Sequence, residues 1–172
     1  IRQAEETLVE LTGRLAAGRP LEGLAGIWYR EGERVVKNPV RQPPADLDRF
    51  PPPDISCRDH YILAGDDLVP LDRQTYLGKI GHHYMTIAVR GCHCRCTYCC
   101  NSQFARLFAW DRLRAKSVPT LIEELKSAVT TYPELKGIKL SDDDFGDMPI
   151  EYMRDFAVAY KREIGLPLGI PG

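Results

Sequence analysis

Apolar residues recur three and four apart near the start of the chain, at Leu8, Leu11 and Leu15, and Gly18 stands where such a run should stop. This spacing predicts an amphipathic helix over residues 4–17, with Glu5 and Glu6 at the positive end of its dipole. Two short runs follow, Gly26-Ile27-Trp28-Tyr29-Arg30 and Glu33-Arg34-Val35-Val36-Lys37, on either side of Glu31-Gly32. They predict a β-hairpin ended by Asn38-Pro39. From Pro39 to Pro70 the pattern fades, and seven of the thirteen prolines fall there. Proline lacks a backbone donor, so this stretch is expected to be an extended linker holding a domain boundary.

Beyond the linker the chain alternates between two periods. Tyr84-Met85-Thr86-Ile87-Ala88-Val89 is apolar and β-branched, predicting a buried strand that runs directly into Arg90-Gly91-Cys92. A helix is expected over Gln103 to Trp110, and Ser117 should cap another whose inner face is Leu121, Ile122, Leu125, Ala128 and Val129. Gly137-Ile138-Lys139-Leu140 predicts a second strand, leading into Ser141-Asp142-Asp143-Asp144-Phe145. Asp147 and Pro149 open a third helix with Ile150, Met153, Ala157 and Tyr160 inward; Gly165 ends it, and Leu166–Ile170 begins a third strand. Strands alternating with helices imply an α/β fold with a parallel sheet and right-handed crossovers.

Composition narrows the class without altering this picture. In 172 residues, 44% are hydrophobic and 27% charged, which are ordinary globular values. No apolar run approaches the ~18 residues of a membrane span. Lys and Arg number 23 against 24 Asp and Glu, a balance that argues against nucleic acid held by bulk charge. The chain opens on Ile1 rather than Met, so the lack of a targeting signal carries no weight.

The cysteines change the picture. Five of the six (Cys92, Cys94, Cys96, Cys99 and Cys100) fall within nine residues. Disulfides among them would close only small, strained loops, so metal binding in a reducing cytoplasm is the expected use. A structural zinc site draws ligands from two pairs; Cys96 and Cys99 make one, with Cys92, His93 and Cys94 available to complete it. A thioredoxin-like redox pair at Cys96 and Cys99 is a second option, against which the extra cysteines count. The third is an iron–sulfur cluster. Cys92, Cys96 and Cys99 form the sole C-x3-C-x2-C triple, and three ligands on a four-iron cube leave one iron open for chemistry.

That triple, with Tyr98 before its third cysteine and a strand before its first, resembles the radical S-adenosylmethionine (SAM) superfamily. The resemblance implies that Cys92, Cys96 and Cys99 hold a [4Fe–4S] cluster whose open iron chelates SAM. It further implies that one electron from a donor partner cleaves SAM to a 5′-deoxyadenosyl radical. Tyr98 matches the aromatic residue near the adenine, while Cys94 stands where the family often has an aromatic. Cys100-Asn101 resembles a variant in which the extra cysteine is not a ligand. The helix, hairpin and proline-rich order, together with Leu24-Ala25-Gly26, is similar to the junction of the cobalamin-dependent branch, and Ser141–Phe145 resembles that branch's acidic motif. Carboxylates at the end of a parallel strand point into the ligand cleft, where Asp142 and Asp143 could receive the SAM ammonium group.

On this resemblance residues 1–40 are the C-terminal tail of a Rossmann-like, cobalamin-binding-like domain, 41–80 a proline-rich linker, and 81–172 the N-terminal half of a radical SAM domain. The fold expected is a partial (β/α) radical SAM barrel of about three βα units. Implied cofactors are the cluster, SAM and cobalamin, the last bound mostly outside this stretch. The implied reaction is methyl transfer or a cyclase-like rearrangement on an unknown small-molecule or natural-product-like substrate. A methylthiotransferase-like radical SAM enzyme without cobalamin and a non-catalytic iron–sulfur or zinc module remain alternatives. Taken alone, the stretch is expected to lack complete pockets and to be inactive. No acid–base or nucleophilic catalytic residue is legible. His82 and His83 are expected in an exposed loop, His93 as filling or shielding the cysteine loop, and Cys57 as an inert thiol. Arg106, Arg112, Arg114 and Lys116, interrupted by Asp111, should line a solvated helix face, and Trp28 and Tyr29 should pack between domains.

Overall fold

A computed structural model of the chain describes residues 4–109 and 112–170. In chain order the elements are α1 (Glu5–Ala16), β1 (Trp28–Glu31), β2 (Arg34–Lys37), β3 (Tyr61–Ala64), β4 (Asp67–Pro70), α2 (Arg73–Lys79), β5 (His83–Thr86) and β6 (Val89–Arg90). They continue as α3 (Cys100–Phe108), β7 (Arg114–Ala115), α4 (Val118–Thr131), β8 (Gly137–Leu140), α5 (Ile150–Glu163) and β9 (Leu168–Gly169). The end of α3 expected at Trp110, and Asp111, lie outside the described residues. The chain divides into two compact units: one takes the described residues of Ile1–Ala45 and His93–Asp111, the other those of Asp46–Cys92 and Arg112–Gly172. Among the described residues no helix is long and apolar enough to cross a membrane.

In the first unit α1 and the β1–β2 hairpin form where the sequence pattern places them, paired from Trp28↔Lys37 to Glu31↔Arg34. The inward face of α1, however, is not its leucine stripe. Leu8 and Leu15 are 54% and 59% exposed, whereas Thr7 is buried. Ion pairs tie the helix to the rest of the unit. Arg41 bonds Glu10, and Arg14 reaches Glu10 at 2.7 Å and the carbonyls of Pro20 and Glu22 at 3.0 Å. Buried Asn38 ties the preceding turn, accepting from Gly23 N–H at 2.8 Å and donating to the Leu21 carbonyl at 2.9 Å. Trp28 is exposed, with the Lys37 ammonium 4.8 Å over its ring.

In the second unit the proline-rich stretch carries no strand or helix until Tyr61, where β3 and β4 form an antiparallel hairpin about Gly65, at φ +63°. Asp72 then caps α2, accepting from Thr75 N–H at 2.9 Å. These elements replace the uninterrupted linker expected from proline count: Tyr61–Ala64 and Asp67–Pro70 flank a turn-forming Gly65-Asp66.

The main sheet is parallel, ordered β5–β8–β9, as the alternating pattern implies. Its covered face places Tyr84, Ile138 and Leu140 in one core with Leu121, Leu125 and Ala128 of α4 and Phe156 and Tyr160 of α5. Ser117 caps α4 as expected, its Oγ accepting from Thr120 N–H at 3.3 Å. On α5 half of the expected inner face holds: Tyr160 is buried and Met153 packs against the core, but Ile150 is 58% exposed and Ala157 is exposed, and Phe156 is buried instead. Large rings claim the interior, with Phe145 5.7 Å from Phe156, and Phe156 5.5 Å from Tyr160, centroid to centroid.

Two further expectations are corrected. The strand predicted over Tyr84–Val89 breaks after Thr86, and β6 turns to pair antiparallel with β7, Val89 opposite Ala115 and Arg90 opposite Arg114. The basic stretch is a solvated helix face only at Arg106, which is exposed on α3; Arg114 lies in β7 and is 7% exposed. Lys116 points inward to Glu124 of α4, itself 4% exposed, which also accepts from Thr86 and, at 3.1 Å, from the Tyr84 hydroxyl.

Candidate cluster and cofactor site

The site begins at the carboxyl end of the parallel sheet, where open α/β folds receive ligands. β5 and β8 run in register from His83↔Gly137 to Thr86↔Leu140, and one further ladder bond joins Ser141 N–H to the Thr86 carbonyl at 2.8 Å. Carboxylates then replace carbonyls as acceptors. Asp142 Oδ1 accepts from Ala88 N–H at 2.6 Å and from Val89 N–H at 2.9 Å. Asp143 Oδ2 accepts from Gly91 N–H at 2.8 Å, and the Cys92 thiol donates to Asp144 Oδ2 at 3.3 Å. Here lies the physical reason for the strand break: amides leaving β5 meet side-chain acceptors rather than the ladder.

Asp142 uses only one oxygen in this way. Its Oδ2 is buried and has no hydrogen-bond partner among the described residues. Burial pushes the Asp142 carboxyl above the usual carboxylate range, against the opposing pull of the Val89 and Ala88 amides and of Lys116. An orphaned buried carboxylate oxygen calls for a cationic donor such as an ammonium group. Gly91 is required by its own backbone. It sits at φ +100°, and a Cβ there would lie 2.7 Å from the Arg112 carbonyl oxygen.

The first unit holds the rest of the cysteine loop. Cys99 N–H donates to the Cys96 carbonyl at 3.2 Å, and Cys99 is the residue from which α3 starts, its carbonyl accepting the Ser102 hydroxyl at 2.8 Å. All the loop cysteines are free thiols, and burial sorts them: Cys92, Cys96 and Cys99 are half-buried, whereas Cys94 and Cys100 are exposed. Tyr98 is 91% exposed. Its hydroxyl is pushed above the usual phenol range, first by its hydrogen bond to Cys96 and then by the neighbouring thiols.

His82, His83 and Cys57 fall away from this centre. His82 and His83 open β5 at the amino end of the sheet, His83 Nδ1 lying 2.7 Å from the Gly81 carbonyl oxygen. Cys57 lies 3.2 Å from the Tyr132 hydroxyl, and His93 is exposed. The first unit also carries an open apolar groove of about 490 Å3 lined by Trp28, Phe104, Leu107 and Phe108. Its polar lining groups Thr7, Asn38 and Arg41 are bonded within the unit. Asp144 was visible in the sequence as part of the acidic run Ser141–Phe145, whereas nothing there signalled the backbone requirement at Gly91 or the pairing of Lys116 with Glu124.

No protein-family model matches the chain. It is 33% identical over 144 residues to an uncharacterized methyltransferase of Pyrococcus horikoshii, covering 83% of this chain and 27% of the relative. Its fold superposes on the apo, selenomethionine-labelled, cobalamin-dependent S-adenosylmethionine radical enzyme OxsB with a TM-score of 0.61 at 20% identity. That match covers 98% of this chain and 22% of the OxsB chain. The chain therefore has an α/β fold shared with a stretch of a cobalamin-dependent radical SAM enzyme. It spans about a quarter of the length of each of these two proteins.

Proposed function

We propose that the protein to which this chain contributes is a radical SAM enzyme, cobalamin-dependent and of methyltransferase type. One observation carries the reading. The thiols that satisfy C-x3-C-x2-C are half-buried while Cys94 and Cys100 are exposed, and they follow a parallel strand beyond whose end lies a buried Asp142 oxygen with no partner among the described residues. Cys92, Cys96 and Cys99 hold a [4Fe–4S] cluster, Asp142 and Asp143 face the ammonium of SAM, and Tyr98 lies against its adenine. When bound and reduced by an external electron donor, such a cluster would supply the one-electron chemistry that SAM cleavage needs. This chain's residues position those groups: three thiolates leave one coordination position open, and the carboxylates orient the amino acid end of SAM. The cobalamin and methyl-transfer parts of the reading are supported by the likeness to OxsB and to the Pyrococcus methyltransferase.

Anaerobic reconstitution of the full-length protein tests it. About four iron and four sulfide per chain are expected, with SAM perturbing the cluster spectrum. Cys92→Ala, Cys96→Ala or Cys99→Ala should abolish this, and Cys94→Ala or Cys100→Ala should not. Stoichiometric zinc without iron refutes it. Bound cobalamin is read from its visible absorption, and methyl transfer from labelled SAM.

A further inference from the structure

Three consecutive aspartates meet the segment 88–92 in step. Asp142 takes the amides of Ala88 and Val89, Asp143 that of Gly91, and Asp144 the thiol of Cys92. The two segments run in the same direction, so the carboxylates continue the β5–β8 pairing after the backbone ladder ends at Thr86. A run of acids that merely capped α5 or faced water would make none of these bonds, and α5 has no side-chain cap bond. Carboxylate–amide bonds are also stronger than the neutral ladder bonds they replace.

We infer that Asp142 and Asp143 form a clasp that positions the backbone delivering Cys92 to the cluster, and that Asp142 joins this backbone to the cofactor. The inference rests on the proposed radical SAM reading and deepens it. Asp142 is two-sided: Oδ1 is committed to Ala88 and Val89, and buried Oδ2 remains for the ammonium of SAM. A ligand held by Oδ2 stiffens the same carboxylate that holds the loop. By linkage, SAM should then tighten the cluster loop as much as the ordered loop favours SAM. Asp142 and Asp143 are thus positioning residues, acting on the cluster through Ala88, Val89, Gly91 and Cys92.

The test uses the full-length protein and reads cluster retention rather than turnover. Iron and sulfide content, and the rate of iron loss to a chelator, are measured with and without SAM in wild type, Asp142→Asn, Asp142→Ala and Asp143→Ala. The carboxamide of Asp142→Asn keeps an oxygen for the two amides and loses the charge. It should retain iron within about threefold of wild type without SAM, yet gain no protection when SAM is added. Asp142→Ala and Asp143→Ala should lose iron about 10- to 100-fold faster even without SAM, as disrupted support of metal ligands does. If both Asp142 variants match wild type without SAM, Asp142 acts only on the cofactor and the clasp is overturned. Should Asp142→Ala fail to fold, Asp143→Ala decides, and wild-type retention there overturns the inference. Wild-type protein that takes up zinc and no iron overturns the underlying reading and the clasp with it. Iron uptake with unaltered retention in every variant overturns the clasp alone.

Discussion

Lys116→Met isolates the cost of an uncompensated buried charge. Glu124 is 4% exposed and accepts from three donors: Lys116, Thr86 and the Tyr84 hydroxyl. Removing the ammonium leaves a carboxylate held by two hydroxyls inside the α4–sheet core, and breaking such a pair from one side costs about 3–5 kcal/mol. Two donors remain, so the lower end, about 3 kcal/mol, is expected. Glu124→Leu is milder, because Lys116 borders an open groove of about 650 Å3 lined by Asp48, Phe50 and Thr120 and can turn to water. Its cost is about 1–3 kcal/mol, chiefly from the stranded Tyr84 and Thr86 hydroxyls. The double variant should be less destabilised than the sum by about 2 kcal/mol, since hydrophobic replacement of both ions removes both desolvation penalties. Native-state amide exchange of peptides from α4 and β8 gives the opening free energy of this unit directly. Lys116→Met should speed exchange there roughly a hundredfold. Additive single and double variants, with coupling below about 0.5 kcal/mol, would show that the pair contributes as a surface salt bridge does and refute the argument.

Gly91→Ala forces a side chain onto φ +100° and into the Arg112 carbonyl, so it should cost about 1–3 kcal/mol and deprotect amides 88–92 in exchange measurements. Ser117→Ala removes the oxygen that accepts from Thr120 N–H and should cost about 1 kcal/mol, read as a lowered thermal midpoint; an unchanged midpoint would mean that the Asp48 bond to Ser117 N–H suffices. In the first unit, hydrogen bonds from Arg41 and Arg14 hold the Glu10 carboxyl below its ordinary 4.5. Because the folded value is the lower one, the stabilisation is complete above 4.5 and fades as pH falls through the folded value. Amide protection of α1 should persist at neutral pH and decline in acid, and Arg41→Gln should weaken that pH dependence, Arg14 still holding the carboxylate.

Local chemistry was legible in the sequence. The period of two over Gly137–Leu140, the Ser117 cap and the stop at Gly165 each report on residues a few positions apart, and each element stands where they place it. The leucine spacing that revealed α1 did not reveal which of its faces turns inward. The buried face, at Thr7, meets partners distant in sequence, as does Glu10 with Arg41, 31 residues away. On α5 the residues at helical spacing were visible, but choosing among them required knowing that Phe145 supplies a ring for Phe156 to meet. Proline count hid the β3–β4 hairpin, because composition averages over a window in which Gly65 and its flanking strands occupy only part.

By itself the sequence determined the cysteine spacing, the parallel α/β alternation and the acidic run after β8, since all three are properties of neighbours along the chain. Tertiary structure alone decided what that acidic run touches. Its partners at Ala88, Val89, Gly91 and Cys92 lie 52 to 54 residues away, a separation at which no periodicity survives. The pairing of β5 with β8 closes that distance, and once those strands are in register the two segments beyond them must run side by side.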